Sequence, residues 1–145
     1  MRAVIQRVDC ANVVSGGKEI GKINEGLLVL IAFAPDDSED QISWMVHKLL
    51  SLRIFSDEEG KMNKSIVEIE GEILVVSQFT LLADYTRGKR PGFSRAASSS
   101  QGKELYDQFQ EALSQAYGKV SGGVFGAEMK VTLVNDGPAT FVLDR

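Results

Sequence analysis

Two short apolar runs limit what this chain can fold into. Residues 26–34 contain Leu27-Leu28-Val29-Leu30-Ile31 with no polar interruption, and Ile73-Leu74-Val75-Val76 repeats the pattern. The first run suits a strand, and a strand with no polar face must be covered on both sides. The chain's 145 residues favour one domain over 1–145. A chain of this size buries roughly 68–70% of its unfolded surface, enough for a core without staples.

The cover is visible as two amphipathic segments. Pro35-Asp36-Asp37-Ser38 opens the first, with Ser38 and Gln41 at capping-box spacing and acids crowding the first turn. Ile42, Met45, Val46, Leu49 and Leu50 then fall on one helical stripe. The second runs over 100–117, with Leu105, Phe109, Ala112, Leu113 and Ala116 on one face and Gly118 placed to end it. Ser98-Ser99-Ser100 reads as a loop ending in a helix cap.

Strand patterns fill most of the remainder. Residues 2–8 alternate. Val13-Val14, the turn Ser15-Gly16-Gly17 and residues 19–23 predict a hairpin. Arg53-Ile54-Phe55 predicts a short strand. Ile66, Val67 and Ile69, the Glu70-Gly71 turn and residues 73–80 predict another hairpin. Residues 129–134 and 139–143 predict two last strands around Asp136-Gly137-Pro138. Seven or eight strands with two long helices give a mixed α/β domain with a curved, barrel-like sheet. Two helices leave part of such a sheet bare, and a homodimer would bury it.

Composition removes several function classes. No apolar run approaches the roughly 18 residues of a membrane span, and the first residues lack the apolar core of a signal peptide, so the expected location is the cytoplasm with no membrane partner. Cys10 is the single cysteine and His47 the single histidine, which excludes an intrachain disulfide and the usual zinc ligand sets. His47 lies off the apolar face of its helix and reads as solvated. The acids of Ser56-Asp57-Glu58-Glu59-Gly60-Lys61 lack the ligand spacing of a calcium loop and read as a turn. No metal or cofactor is expected.

A net charge of −4 argues against general nucleic-acid binding. The charge is uneven, however. Residues 86–95 hold Arg87, Lys89, Arg90 and Arg95 with no acid, and their two glycines and one proline predict a loop. Such a loop is either plainly solvated or a local phosphate contact on an acidic protein.

Two strings remain that a core does not require. Ser77-Gln78-Phe79-Thr80-Leu81 follows the apolar run, and Asn135-Asp136-Gly137-Pro138-Ala139-Thr140 places a Gly-Pro turn between strand patterns. Strand ends and turns are where a scaffold presents chemistry. With His47 set aside, Ser77 and Thr80 lack an imidazole base, and no P-loop, dinucleotide fingerprint or zincin helix is present. What remains is backbone N–H groups at the strand end, which can stabilise an oxyanion, or a purely structural role for Ser77 and Thr80.

These residues resemble those of the D-aminoacyl-tRNA deacylase family over the whole chain. The resemblance rests on residues 1–8, 26–30, 52–57 and 60–63, and on Val76-Ser77-Gln78-Phe79-Thr80-Leu81, Phe125-Gly126-Ala127-Glu128-Met129 and Asn135-Asp136-Gly137-Pro138. It implies a homodimeric hydrolase of the ester between a D-amino acid and the tRNA 3′ end, also able to clear glycine. It implies that Ser77, Gln78, Phe79 and Thr80 line the catalytic pocket, and that Phe125 and Met129 contact the adenosine or amino acid. Gly137-Pro138 would be cis and reach into the partner's pocket as a wall against an L-side chain, with Arg7 holding it. The resemblance raises the phosphate-contact reading of Arg87, Lys89 and Arg90. Two strings depart from the family pattern: Ala139 stands where valine is usual, and Ala96-Ala97-Ser98-Ser99-Ser100 lacks the usual proline. Two alternatives stand beside this reading: a deacylase with a trans Gly-Pro that admits a small L-residue, and a non-catalytic module for the tRNA end.

Overall fold

Two long strands frame the molecule. In the computed structural model, which describes residues 1–145, β1 (Arg2–Ser15) and β8 (Lys130–Asp144) pair antiparallel along most of their length. The other edge of β1 is shared. Arg2 to Val8 pair with β3 (Gly26–Ala32), and Ala11 to Ser15 pair with β2 (Lys18–Ile23). The hairpin expected at Gly16-Gly17 is present, both glycines lying at positive φ, as two-residue hairpin loops require.

β3 pairs parallel with β6 (Glu72–Ser77), and β6 pairs parallel with β7 (Val120–Gly122). Parallel neighbours need long crossovers. The first contains α1 (Glu39–Ser51) and a small sheet of β4 (Arg53–Ser56) and β5 (Met62–Ser65). The second contains α2 (Ser99–Tyr117). The main sheet runs β2-β1-β3-β6-β7, with β8 on β1. It curls until Ser121 Oγ of β7 donates to Lys22 O of β2 at 3.3 Å. This is the mixed α/β fold with a barrel-like sheet and two long helices that the sequence predicts.

The curl explains the uninterrupted apolar runs. Leu27, Val29, Ile31, Ile73 and Val75 join one core beneath the helices, with Ile42, Met45, Leu49, Leu105, Phe109 and Leu113. The alternate residues Leu28, Leu74 and Val76 join a second core with Val8, Val13 and Ile23, between the curled halves of the sheet. The central residues of β3 and β6 are covered on both faces, so the run between Glu72 and Ser77 carries no polar residue.

The helices start and stop much as their sequences indicate. Gln41 Oε1 accepts from the Ser38 N–H at 3.0 Å and from its hydroxyl at 2.7 Å. Ser98 Oγ accepts from Gln101 N–H at 3.3 Å, and α2 ends on Gly118 with φ +82°. His47 is exposed on α1. On α2 the buried stripe is Leu105, Tyr106, Phe109 and Leu113, while Ala116, expected on that stripe, faces solvent.

Three strand expectations need correction. Residues 66–71 form a turn rather than a hairpin arm, closed by Gly71 N–H to Ile66 O at 3.1 Å. β6 instead takes β3 on one edge and β7 on the other, both parallel, and its two faces are covered by the two cores. β6 also stops at Ser77, and Phe79–Leu82 is a 3-10 turn rather than strand. Finally, residues 130–144 are one strand, because β8 resumes its pairing with β1 after a loop-out.

Buried tyrosines tie the crossovers to the sheet. The Tyr106 hydroxyl lies 3.0 Å from Val75 O and 3.2 Å from Gly123 O, and Tyr117 Oη lies 2.6 Å from Gly71 O. Burial pushes both phenols above their ordinary range. A raised phenol in the folded state gives stability that is fully present below the unfolded value of about 10 and is lost as pH rises beyond it. Tyr106→Phe is therefore expected to cost about 1 kcal/mol at neutral pH. It should also make the loss of stability above about pH 10 shallower. Urea unfolding midpoints from neutral to alkaline pH test this, and parallel curves for the two proteins would contradict it.

Candidate active site

The carboxyl ends of parallel strands are where open α/β sheets bind ligands. Here β6 ends at Ser77, opposite Ile31 of β3. Gln78 still donates its N–H to Ile31 O at 2.7 Å, and the chain then turns through Phe79–Leu82. The first bond of that turn runs from Leu81 N–H to Gln78 O. The N–H groups of Phe79 and Thr80 precede it and so have no acceptor inside the turn.

Ser77, Gln78 and Phe79 line a cleft of about 590 Å³. Phe125, Gly126, Ala127 and Met129, from the segment between β7 and β8, line it too, with Val131 of β8. Phe93, Ala96 and Ala97 of the loop before α2 complete it, with Ser99 of the helix's first turn. Mostly apolar walls with a few polar groups are the ordinary make-up of a small-molecule site.

Each wall is anchored to the sheet. Ala97 N–H donates to Phe33 O at 2.8 Å, and Gly123 N–H to Val75 O at 2.9 Å. Tyr106 holds the same Gly123 and places its ring 5.9 Å from that of Phe125. A Cβ at Gly123 would lie 2.6 Å from Met129 Sδ, so a side chain there would displace the methionine from the cleft wall. Phe79 is capped by Phe93, ring centres 4.9 Å apart at 66°.

Thr80 does not line the cleft. Its hydroxyl accepts from Gln78 Nε2 at 2.5 Å, and an amide supplies no base. No lysine, histidine or carboxylate lines the cleft either. Nor do three or more His, Cys, Asp or Glu side chains gather anywhere to hold a metal ion.

A second cluster sits where β8 leaves its ladder. Between the pairs Gln6↔Thr140 and Val8↔Asn135, β1 contributes only Arg7, while β8 contributes Asp136, Gly137, Pro138 and Ala139. Arg7 fills the gap. Its Nε meets Asp136 O at 3.2 Å and Asp136 Oδ2 at 2.7 Å, and Nη1 donates to Ile54 O at 2.6 Å. Asn135 Nδ2 closes the loop from the other side, 2.9 Å from Arg7 O and 3.4 Å from Ala139 O. Ala139 is 2% exposed, so the small residue in the valine position is packed. Gly137 and Pro138 face solvent, and the peptide between them is cis.

The structure thus brings Ser77, Gln78, Phe79, Phe125 and Met129 to one cleft. It places Arg7, Gly137 and Pro138 together elsewhere, and Arg87, Lys89 and Arg90 on an exposed third segment. Sequence reasoning passes over Phe93, Ala96 and Ala97. The signal is present in the loop's composition, since an aromatic followed by paired alanines has no purpose in a solvated loop.

A strand-end cleft of this kind, on a barrel-like mixed sheet, defines an α/β enzyme that takes a small and largely apolar substrate group. The model of the D-Tyr-tRNA(Tyr) deacylase family matches residues 4–144. The D-aminoacyl-tRNA deacylase of Thermosipho melanesiensis is 53% identical over 99% of this chain and 97% of its own. That of Prosthecochloris aestuarii is 52% identical over 99% of each. Among solved structures, c-Myc DNA Unwinding Element Binding Protein superposes with a TM-score of 0.95 at 40% identity, covering 100% of this chain and 99% of its own. A probable eukaryotic D-amino acid tRNA deacylase, at 23% identity over 99% and 98%, shares the fold with a TM-score of 0.87. The chain belongs to the D-Tyr-tRNA(Tyr) deacylase family.

The Arg7 cluster can be tested without any substrate. Arg7→Gln removes the donors to Ile54 O and Asp136 together and should lower stability by about 1–3 kcal/mol. Asp136→Asn should cost less, because its carboxylate is half exposed. Denaturant midpoints report both; an Arg7→Gln variant as stable as the parent would show that the loop is not held this way.

Proposed function

We propose that this enzyme hydrolyses the ester joining a D-amino acid to the 3′ end of tRNA, releasing free amino acid and tRNA in the cytoplasm, and that it works as a homodimer. The observation that carries the reading is the four-residue loop opposite Arg7. Its tip, Gly137-Pro138, is exposed, its ends are held, and it is absent from the cleft of its own chain. A second copy supplies its destination. The outer edge of β8 is unpaired and Val134 and Val142 are exposed, so a partner would cover a strand edge that is otherwise a liability.

In this reading the acyl ester lies in the cleft with its carbonyl toward the Phe79 N–H. Ser77 and Gln78 form the polar end, Thr80 standing behind them on the Gln78 amide, and Phe125 and Met129 contact the adenosine or amino acid. A water oxygen attacks the carbonyl carbon, the carbon–ribose oxygen bond breaks, and the proton passes to the departing ribose oxygen. The neighbouring ribose hydroxyl orients the water, because Thr80 is bonded to an amide rather than a base. A backbone donor at the developing oxyanion supplies about 2.7–4 kcal/mol in comparable sites.

Selection of hand follows from exclusion. Gly137 and Pro138 of one protomer face the α-carbon in the partner's cleft with main-chain carbonyls. A D-residue, or glycine, presents only hydrogen there; an L-residue presents its β-carbon and collides. A wall of main chain does not rotate aside as a side chain does. The same geometry extends the substrate range to glycyl-tRNA.

The test is single-turnover hydrolysis of D-Tyr-tRNA and L-Tyr-tRNA, with and without a chelator. Loss of the D-ester alone is the expected result. If tRNA binds and neither ester is cleaved, the protein is a binding module instead. Thr80→Ala should keep its activity; a loss of about 10³-fold in an intact dimer would return Thr80 to the role of nucleophile.

Arg87, Lys89 and Arg90 belong to the same reading as phosphate contacts. Reversing each to Glu should weaken tRNA binding and flatten its salt dependence. The log–log slope should fall by roughly 0.7–0.9 for each phosphate that is no longer neutralised. An unchanged slope would put the loop outside the tRNA footprint.

A further inference from the structure

The basic loop carries more than charge. Asp84 and Gly92 pair through two backbone bonds, 2.8 and 2.9 Å, which pinch residues 85–91 into a narrow hairpin. The Asp84 carboxylate turns inward to the Thr86 N–H at 2.9 Å, a bond that holds its carboxyl below the usual range. Beyond that neck there is no acid through residue 95. Arg87, Lys89, Arg90 and Arg95 take part in none of the protein's seven ion pairs and donate no side-chain hydrogen bond within it.

Two aromatic rings lie among these cations. Tyr85 is 68% exposed, its hydroxyl has no partner, and it belongs to neither core. Phe93 is 39% exposed and rests edge-on against Phe79, itself 55% exposed. Phe79 and Phe93 line the cleft, while Tyr85 stands on the hairpin beside the Asp84–Gly92 neck that Phe93 also flanks. A duplex needs only the cations, because its bases already stack on one another. Cations interleaved with bare rings are what an unpaired strand uses, since every unstacked base offers a π-face.

We propose that Tyr85 and Phe93, among Arg87, Lys89, Arg90 and Arg95, form a stacking site for unpaired RNA nucleotides, the single strand that adjoins the terminal nucleoside held in the cleft. The identity of that strand rests on the deacylase reading; the site itself rests on the hairpin. Tyr85 stacks on one base, the exposed Phe93 ring, braced edge-on by Phe79, offers a face to the next, and the cations follow the phosphates.

The probe is an uncharged RNA stem-loop with an unpaired 3′ tail ending in CCA, compared with the same stem-loop cut blunt. Fluorescence anisotropy gives both affinities. The parent protein should favour the tailed RNA by about tenfold or more, one stacked base being enough for that. Tyr85→Ala should remove most of the preference, Tyr85→Phe should restore it, and neither should alter binding of the blunt stem. Equal affinity of the parent for the two RNAs, or an undiminished preference in Tyr85→Ala, overturns the proposal. Tail preference without D-ester hydrolysis would leave this site standing and fell the deacylase reading. Hydrolysis without tail preference would do the reverse.

Discussion

The parallel pairing of β6 on both its edges is the constraint from which the site follows. β3 on one side and β7 on the other leave no freedom of register, and every side chain from Ile73 to Val76 is buried. At about 1.5–3 kcal/mol for each large apolar side chain removed from water, sliding β6 by one residue is prohibitive, because it would also draw Ser77 inward. The strand must therefore stop where its sequence turns polar. Gln78 takes the last ladder bond on Ile31, and the 3-10 turn begins at Phe79. The other walls hang from the same strand: Gly123 is bonded to Val75, and Tyr106 reaches both.

This dependence explains which parts of the fold are legible in the sequence and which are not. The amphipathic stripes of α1 and α2, the first hairpin and the uninterrupted run of β3 are local patterns, and they appear as expected. The parallel neighbours of β6 are not local. Ile73-Leu74-Val75-Val76 says that both faces are covered, but nothing within it names β3 and β7 as the strands that pair its edges, and the nearby Glu70-Gly71 turn suggests a hairpin that does not form. β7 leaves no signal because Val120–Gly122 is too short to show alternation. The last strand reads as two for the opposite reason. Gly137-Pro138 is a strong local turn signal, yet Arg7, some 130 positions earlier, holds the loop so that the ladder resumes beyond it.

The site is legible to a similar degree. Ser77, Gln78 and Phe79 can be singled out because polar residues after an apolar run mark a strand end. Phe125 and Met129 carry no such mark and enter through family resemblance alone. Phe93 is hidden by the basic residues around it, which draw attention to charge rather than to the ring packed on Phe79. Only three-dimensional placement shows that one loop both closes the cleft and carries the cations.

The division of labour between side chains and main chain is the last consequence. The cleft holds no general base, and the chain's single histidine is exposed on α1. On the proposed reading, chemistry on the ester is left to backbone donors, water and the substrate's own hydroxyl. Those need accurate placement more than they need reactivity, and accuracy is what a doubly paired strand end provides. The same holds for the exposed loop of β8. Arg7 and Asn135 contribute no chemistry of their own; their bonds to Asp136, Ile54 and Ala139 fix the path of the main chain between them. Rigid backbone at both places suits the proposed task of telling apart two esters that differ at one stereocentre, because the difference between them is the position of one carbon rather than its reactivity.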